Sequence, residues 1–270
     1  MKKITVSKAI GEALHEEMLR DDKVFIMGED MAVMGNVFAI TKGFLEEFGP
    51  KRVIDTPISE EGFVGMAVGA AMRGMRPVVE LMYDDFATEC ADPLFNQAAK
   101  IRYMTGGQCH VPMVLRAPMG AGRRNAGQHS QSLENFFCHF PGLKVVAPCT
   151  AQDAKGLLKS AIRDDDPVIF LEHKLLYAHK EQIPEEEYTI PLGQADIKRE
   201  GKDITIITWS REVNFSLEAA KTLAEQGIDA EVLDLRTLVP LDWDAIVQSV
   251  SKTHNAIIVS EEVKRGSFAG

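Results

Sequence analysis

The chain has 270 residues, 45% of them hydrophobic and 26% charged, which is typical of a folded globular protein and not of a disordered one. Its 40 acidic and 30 basic residues give a net charge of −10, which argues against a general affinity for nucleic acid or anionic membranes. The longest apolar run, Phe63 to Met72, is about half of the roughly 20 residues that a membrane-spanning helix needs.

In chain order, short apolar strands alternate with amphipathic helices, a pattern that predicts an α/β fold with a mostly parallel sheet covered on both faces. The first part of the chain predicts strands at 23–27, 52–55, 77–81, 111–116, 144–147 and 168–172. Helices are predicted at 7–19, 41–48, 59–74, 84–104, 133–139 and 151–164.

The periodicity fades between 174 and 203, where two prolines and a run of three glutamates are typical of a surface linker. Alternation then resumes, with strands at 204–209, 230–235 and 256–260 and helices at 212–226 and 242–253. We therefore expect a first domain over 1–175, a linker over 176–203 and a smaller α/β unit over 204–270. Because three strands make an incomplete domain, this unit is expected to continue past Gly270.

The N-terminus has two lysines but no apolar segment or cleavage site, so no signal peptide is expected. The four cysteines show no CxxC spacing, which favours a reduced, cytoplasmic protein over a disulfide framework. The phosphate-binding GxxxxGK loop, the zinc-protease HExxH helix and the GxSxG nucleophile turn are absent, and Asn125 replaces the third glycine of a dinucleotide loop.

Since ligands of α/β proteins bind at the carboxyl ends of strands, the residues that follow predicted strands are the candidates. Ser59 can cap a helix whose first turn holds Glu60 and Glu61. Favourable placement of acids at a helix N-terminus is the commoner explanation of this pattern, and a carboxylate held near a cofactor is the alternative. Phe86, after the next strand, fits either a core or the wall of a flat-ring pocket.

Two further segments have both a structural and a functional interpretation. Residues 117–131 form a long glycine-rich loop after a strand, and its His129 can serve as a proton donor, as an anion contact or in no catalytic role. Residues 161–167 end a helix with three consecutive aspartates, which fits either a solvated turn or a bound cation.

Taken together, several segments resemble the β-subunit of the thiamine-diphosphate-dependent first component of 2-oxo-acid dehydrogenases, the pyruvate, acetoin and branched-chain complexes. The segments that carry the resemblance are DTPISE, ELMYDDF, AGQHSQS, FPGLKVVAP, DAKGLLKSAI, DPVIFLE and EVLDLRTL. The likeness runs in one order from Ile4 to Gly270. It implies a pyrimidine-binding domain and part of a transketolase-like C-terminal domain.

The resemblance also implies roles for individual residues. Glu60 matches the glutamate that bonds a pyrimidine nitrogen, Ile58 and Met82 lie around that ring, and Phe86 stacks on it. His129 matches the histidine that faces substrate and the lipoyl group. A potassium site, which would brace the sheet near the His129 loop, is implied at Met113, Ala161, Ile162, Asp164 and Asp166.

The GDG segment that holds Mg²⁺ and the diphosphate in thiamine enzymes is absent from this chain. The resemblance places it on a separate α-subunit, so we expect two α plus two β chains that serve a lipoyl domain and a dihydrolipoyl acyltransferase core. The expected reaction is decarboxylation of pyruvate, or cleavage of acetoin, with transfer of the acyl group to lipoamide. A stand-alone transketolase-like enzyme and a non-catalytic α/β scaffold remain as alternatives.

Overall fold

The computed structural model describes residues 1–270 and confirms the α/β class. The larger sheet has seven strands in the order β12-β6-β7-β5-β4-β2-β3, of which only β12 is antiparallel to its neighbour. Its strands are β2 (Val24–Gly28), β3 (Val53–Asp55), β4 (Arg76–Glu80), β5 (Val114–Met119), β6 (Lys144–Val146), β7 (Val168–His173) and β12 (Thr237–Val239).

The parallel strands are buried on both faces, because side chains alternate between two separate cores. Val24 and Ile26 of β2 point into one core and Phe25 and Met27 into the other. Helices α1 (Val6–Arg20) and α6 (Ala151–Arg163) cover the first face, and α3 (Glu60–Met72) lies on the second. Two short helices, α2 (Phe44–Phe48) and α5 (Glu134–Cys138), complete this part. A continuous apolar strand sequence is the expected signature of this double burial.

A second, four-stranded sheet has the order β13-β10-β11-β9. Strands β10 (Ile204–Thr208), β11 (Ala230–Asp234) and β13 (Ala256–Val259) are parallel, and β9 (Asp196–Arg199) is antiparallel to β11. Helices α7 (Glu212–Glu225) and α8 (Trp243–Thr253) pack against it. Both cores of the larger sheet continue into this sheet, through Ile206 and Val232 on one side and Ile207 and Leu233 on the other.

The interval 176–203, predicted to be a featureless linker, contains two strands. Strand β8 (Lys180–Ile183) pairs with β1 (Lys2–Thr5) at the N-terminus, and β9 adds a fourth strand to the smaller sheet, where three were predicted. Both are edge strands of four residues with polar sequences. Their partners are distant in sequence, so local periodicity carries no signal for them.

The single helix predicted over 84–104 is also wrong. The segment is a 3₁₀ helix (Asp84–Cys90), a π-helical segment (Asp92–Ala98) and a short α4 (Ile101–Met104). Pro93 has no amide hydrogen and cannot continue an α-helical ladder from the preceding turn. Phe86 in the 3₁₀ helix is partly exposed, whereas Phe95 in the π-helical segment is buried. None of the helices combines the length and the hydrophobicity that crossing a membrane requires.

Candidate active site

The carboxyl ends of four adjacent strands, β5-β4-β2-β3, meet at one edge of the larger sheet. The segments that follow them surround a cleft of about 580 Å³. A strand edge of this kind is the expected ligand site of an α/β sheet. Its lining consists of Glu29, Ile58, Ser59, Glu60, Glu61, Met82, Phe86, Glu89 and His129.

Glu60 is the first residue of α3 and is only 8% exposed. Ser59 occupies the N-cap position, but its side chain makes no capping hydrogen bond, so the predicted cap is wrong. The helix N-terminus instead offers its dipole to the two glutamates of the first turn. Ile58, just before the helix, is 83% exposed and leaves the cleft open on that side.

Glu29 also lies in the cleft and was not predicted. It follows β2 directly, and its Oε1 atom is buried without a hydrogen-bond partner. Burial, followed by the negative charge of Glu60, raises the pKa of Glu29 to about 7. Glu60 was predicted because it follows the carboxyl end of a parallel strand. The same criterion, applied to the end of β2, would have identified Glu29.

His129 lies between two aromatic rings. Its ring centroid is 4.4 Å from that of Tyr83 and 5.6 Å from that of Phe86, and both contacts are edge-on. The Nδ1 atom of His129 is buried and has no hydrogen-bond partner. Tyr83, another residue that sequence reasoning missed, receives a hydrogen bond on its hydroxyl from Asn125 of the same loop, at 3.4 Å. The imidazole is therefore oriented by packing.

The five residues predicted to contact cofactor or substrate thus share one cleft: Ile58, Glu60, Met82, Phe86 and His129. An apolar wall and a buried carboxyl opposite an imidazole fit a flat heteroaromatic ring with a basic nitrogen. The cleft has four carboxyl groups but no lysine or arginine in its lining. These residues therefore fit the pyrimidine end of thiamine diphosphate, and the charge of a diphosphate needs cations that the lining of this cleft does not contain.

The predicted potassium residues lie elsewhere. Ala161 and Ile162 are in the last turn of α6, Asp164 and Asp166 lie between α6 and β7, and the Met113 carbonyl accepts a hydrogen bond from Val168 at 2.9 Å. This turn is at the amino ends of β5 and β7, whereas the His129 loop follows the carboxyl end of β5. The expectation that an ion here braces the sheet near that loop is therefore wrong.

Cationic side chains already contact this turn. The carbonyls of Ile162 and Asp164 both accept from Arg76 Nη1, at 3.0 and 2.8 Å. The carboxylate of Asp164 accepts from Lys144 at 2.7 Å, and that of Asp166 accepts from Arg102 at 2.5 Å. Backbone carbonyls are a ligand type that suits potassium, and an ion bound to the carbonyls of Ile162 and Asp164 would share them with Arg76.

Comparison with known proteins agrees with this geometry. Residues 2–180 match the family described as "Transketolase, pyrimidine binding domain", and residues 193–270 match "Transketolase, C-terminal domain". A solved structure described as "Split gene transketolase, inactive beta4 tetramer" superposes with a TM-score of 0.82 at 22% identity, covering 98% of this chain and 82% of that one. Fold and cleft thus define a transketolase-like α/β chain.

Relatives with higher sequence identity define the family within this class. The pyruvate dehydrogenase E1 component subunit beta of Rickettsia felis is 54% identical over 258 residues, which cover 96% of this chain and 79% of the relative. The acetoin:2,6-dichlorophenolindophenol oxidoreductase subunit beta of Cupriavidus necator is 50% identical over 278 residues, covering 99% and 82%. The chain belongs to the family of these dehydrogenase β-subunits, which confirms the resemblance stated from its motifs.

Proposed function

We propose that the chain is the catalytic β-subunit of a thiamine-diphosphate-dependent dehydrogenase that decarboxylates a 2-oxo acid such as pyruvate, or cleaves acetoin, and passes the acyl group to lipoamide. One observation carries the proposal: Glu60, buried at the start of α3, shares a cleft with an apolar wall and His129. Bound thiamine diphosphate supplies the carbon nucleophile and the electron sink for cleavage next to a carbonyl.

Glu60 is assigned to hold a proton against a ring nitrogen of the pyrimidine. Its position at a helix N-terminus stabilises the carboxylate that remains when this proton moves to the nitrogen. Glu29 beside it has a pKa of about 7, so it is partly protonated around neutral pH, and this lowers the total negative charge of the two carboxyl groups. The two carboxyl groups can therefore keep one proton in the cleft around neutral pH.

The apolar side chains and His129 are assigned to the substrate end. Met82, Phe86 and Ile58 exclude water, which favours loss of a charged carboxylate from a substrate held among them. His129, with its unpartnered Nδ1 atom, is assigned as acid or electrostatic partner when the acyl group moves to the lipoyl sulfur. Because Ile58 is so exposed, the wall is complete only when another chain covers it.

That other chain is the proposed α-subunit, which would hold Mg²⁺ and the diphosphate in an assembly of two α and two β chains. The proposal is supported by the absence of a GDG segment and by the absence of cations in the cleft lining. A lipoyl domain and a dihydrolipoyl acyltransferase core are the proposed acyl acceptors. Potassium at the α6–β7 turn and a cytoplasmic location remain predictions, the latter from four cysteines that form no disulfide.

Replacing Glu60→Gln in the chain co-expressed with its α partner tests the assignment. The amide cannot take part in the proton exchange, so we expect decarboxylation, measured with an artificial electron acceptor, to fall roughly 100-fold or more. Glu61→Gln is the matched control, since Glu61 is an exposed neighbour in the same helical turn. Unchanged turnover of the Glu60 variant, in an assembly of unchanged mass, would remove the proposed role.

The same experiment separates the alternatives. A stand-alone transketolase-like enzyme would transfer two-carbon units between sugars without an α partner, and a scaffold would assemble without any turnover that depends on Glu60. Assays with pyruvate, acetoin and a ketose phosphate on the purified complex distinguish these outcomes directly.

A further inference from the structure

The loop 120–131 that carries His129 is fixed at its first residues by groups that lie outside the cleft. Gly120 has a φ of +94°, and a Cβ built on it would lie 2.1 Å from Nε2 of His173. The His173 ring therefore packs directly on the Gly120 backbone, which leaves this position to glycine. The Gly120 amide donates to the carbonyl of Gln131 at 2.7 Å and closes the base of the loop.

A carboxylate of the smaller sheet joins this contact. Glu261, which follows β13, accepts from His173 Nε2 through one oxygen at 2.8 Å and from the Ala121 amide through the other at 3.2 Å. His173 Nδ1 accepts from the Leu175 amide at 3.2 Å, so the ring proton is on Nε2 and points at Glu261. The hydrogen bond from His173 lowers the pKa of Glu261 below its ordinary value, which keeps it ionised at neutral pH.

His173 and Glu261 are well placed to restrict the motion of the loop 120–131. The side chain of His173 is 1% exposed and that of Glu261 is 21% exposed, so the bond between them is shielded from water. Lys174, next to His173, donates from Nζ to the Gly120 carbonyl, and Arg211 Nη1 lies 3.9 Å from Glu261. Glu262, the next residue, accepts from the Asn135 amide at 2.7 Å, just beyond the end of the loop.

We propose that Glu261 and His173 form a clasp between the two sheets that holds the Gly120–Ala121 backbone, which makes Glu261 a positioning residue for His129. The inference rests on the proposed role of His129 in acyl transfer. The clasp acts on only one end of a loop whose other end is tied to Gly120 through Gln131. Loss of the clasp displaces His129 relative to Phe86, whereas Glu60, which is on α3, keeps its position.

The test uses the chain co-expressed with its α partner and compares Glu261→Ala, Glu261→Gln and His129→Ala. Glu212→Gln is the matched control, because Glu212 is a nearby carboxylate at the start of α7 that makes no hydrogen bond to the loop. Two quantities are measured: acylation of a lipoyl domain relative to decarboxylation with an artificial acceptor, and hydrogen exchange at the Ala121 amide.

We expect Glu261→Ala to lower the ratio of acylation to decarboxylation roughly tenfold, since small displacements of a catalytic group cost one to two orders of magnitude. Glu261→Gln keeps one oxygen acceptor and is expected to have an intermediate effect. Exchange at Ala121 should accelerate at least tenfold in the alanine variant and remain unchanged in Glu212→Gln.

Unchanged exchange at Ala121 in Glu261→Ala overturns the clasp. Faster exchange with an unchanged ratio overturns the positioning role if His129→Ala does lower the ratio. If His129→Ala itself leaves the ratio unchanged, the proposed function of His129 has failed, and the clasp is then decided by exchange alone.

Discussion

Glu134, the first residue of α5, shows how a single buried carboxyl can set the pH dependence of stability. Its Oε1 atom accepts from the Trp209 indole at 3.2 Å, while Oε2 is buried without a partner. Burial, followed by the negative charge of Glu262, raises the pKa of Glu134 from 4.5 to about 7. In the unfolded chain the group titrates at its ordinary value.

The sign of the effect follows from proton binding. Between pH 4.5 and 7 the folded state binds the Glu134 proton and the unfolded state releases it, so stability falls as pH rises through this window and levels off above it. The contribution amounts to up to about 3 kcal/mol. We expect Glu134→Gln to remove this loss, so that its free energy of unfolding decreases less than that of the unmodified chain between pH 5.5 and 8. If the free energy of unfolding of Glu134→Gln and of the unmodified chain changed equally between the two pH values, the assignment would be contradicted.

At the scale of elements, a buried ion network ties three strands to the loop that carries Glu29. Arg116 of β5 bonds Glu80 of β4 at 2.6 Å and Glu172 of β7 at 2.7 Å, and its side chain is completely buried. Asn36 of the loop 29–43 donates to both oxygens of Glu80, at 2.9 and 2.8 Å. The network therefore positions one wall of the cleft as well as the strands beneath it.

Replacing Arg116→Met leaves two carboxyl groups buried without their cation. We expect the free energy of unfolding to fall by about 3–5 kcal/mol, measured by denaturant titration. Lys2→Met serves as the control, because Lys2 and Glu12 form a half-exposed pair at 2.6 Å whose loss should cost less than about 1 kcal/mol. A cost for Arg116→Met no larger than that of the control would mean that Glu80 and Glu172 are held protonated without it.

The α6–β7 turn gives a prediction that concerns a ligand. If potassium binds the carbonyls around Ala161 and Met113, replacing it with tetramethylammonium at equal ionic strength should lower the melting temperature of the complex, because a bound ion stabilises only the folded state. The size of the shift should grow with potassium concentration. An identical melting temperature in both salts would mean that Arg76 alone satisfies the turn.

These elements also mark how far the sequence could predict the structure. Most of the doubly buried strands, such as β7, were predicted to within one or two residues because an apolar run bounded by turn residues specifies them, whereas β5 begins and ends three residues later than predicted. Strands β1, β8, β9 and β12 were missed, since each has three or four residues and pairs with a segment far away in sequence. Pairing of that kind depends on tertiary contacts and not on local pattern.

The candidate site was predictable to the extent that strand ends identify it. Glu60, Met82 and Phe86 lie in the segments that follow β3 and β4, whereas Tyr83, in the same segment as Phe86, is recognisable as a contact of His129 only in three dimensions. The clasp partner Glu261 is separated from Ala121 by 140 residues, so no local motif could reveal it. Long-range hydrogen bonds of this kind require the fold.

For the whole molecule, the two sheets behave as one packed body. Both hydrophobic cores run through the larger sheet into the smaller one, and β12 joins the larger sheet from beyond β11. The division at 175 and 204 therefore remains a prediction about domain boundaries, and the contacts across it include the clasp on the His129 loop. A structural change in the smaller sheet can therefore reach the cleft through these contacts.

At the same scale, the composition of the cleft predicts the assembly. The cleft has four carboxyl groups and no cation, next to an Ile58 side chain that is 83% exposed, and we interpret it as half of a site for an anionic cofactor. In the proposed assembly, a second chain with cationic or metal-binding groups covers that apolar surface and balances that charge. We expect native mass spectrometry of the protein purified from its own cells to show two copies of this chain with two copies of a partner that contains a GDG segment. A homodimer or monomer without such a partner would contradict the half-site, and the thiamine mechanism would then need a diphosphate site that this cleft does not provide.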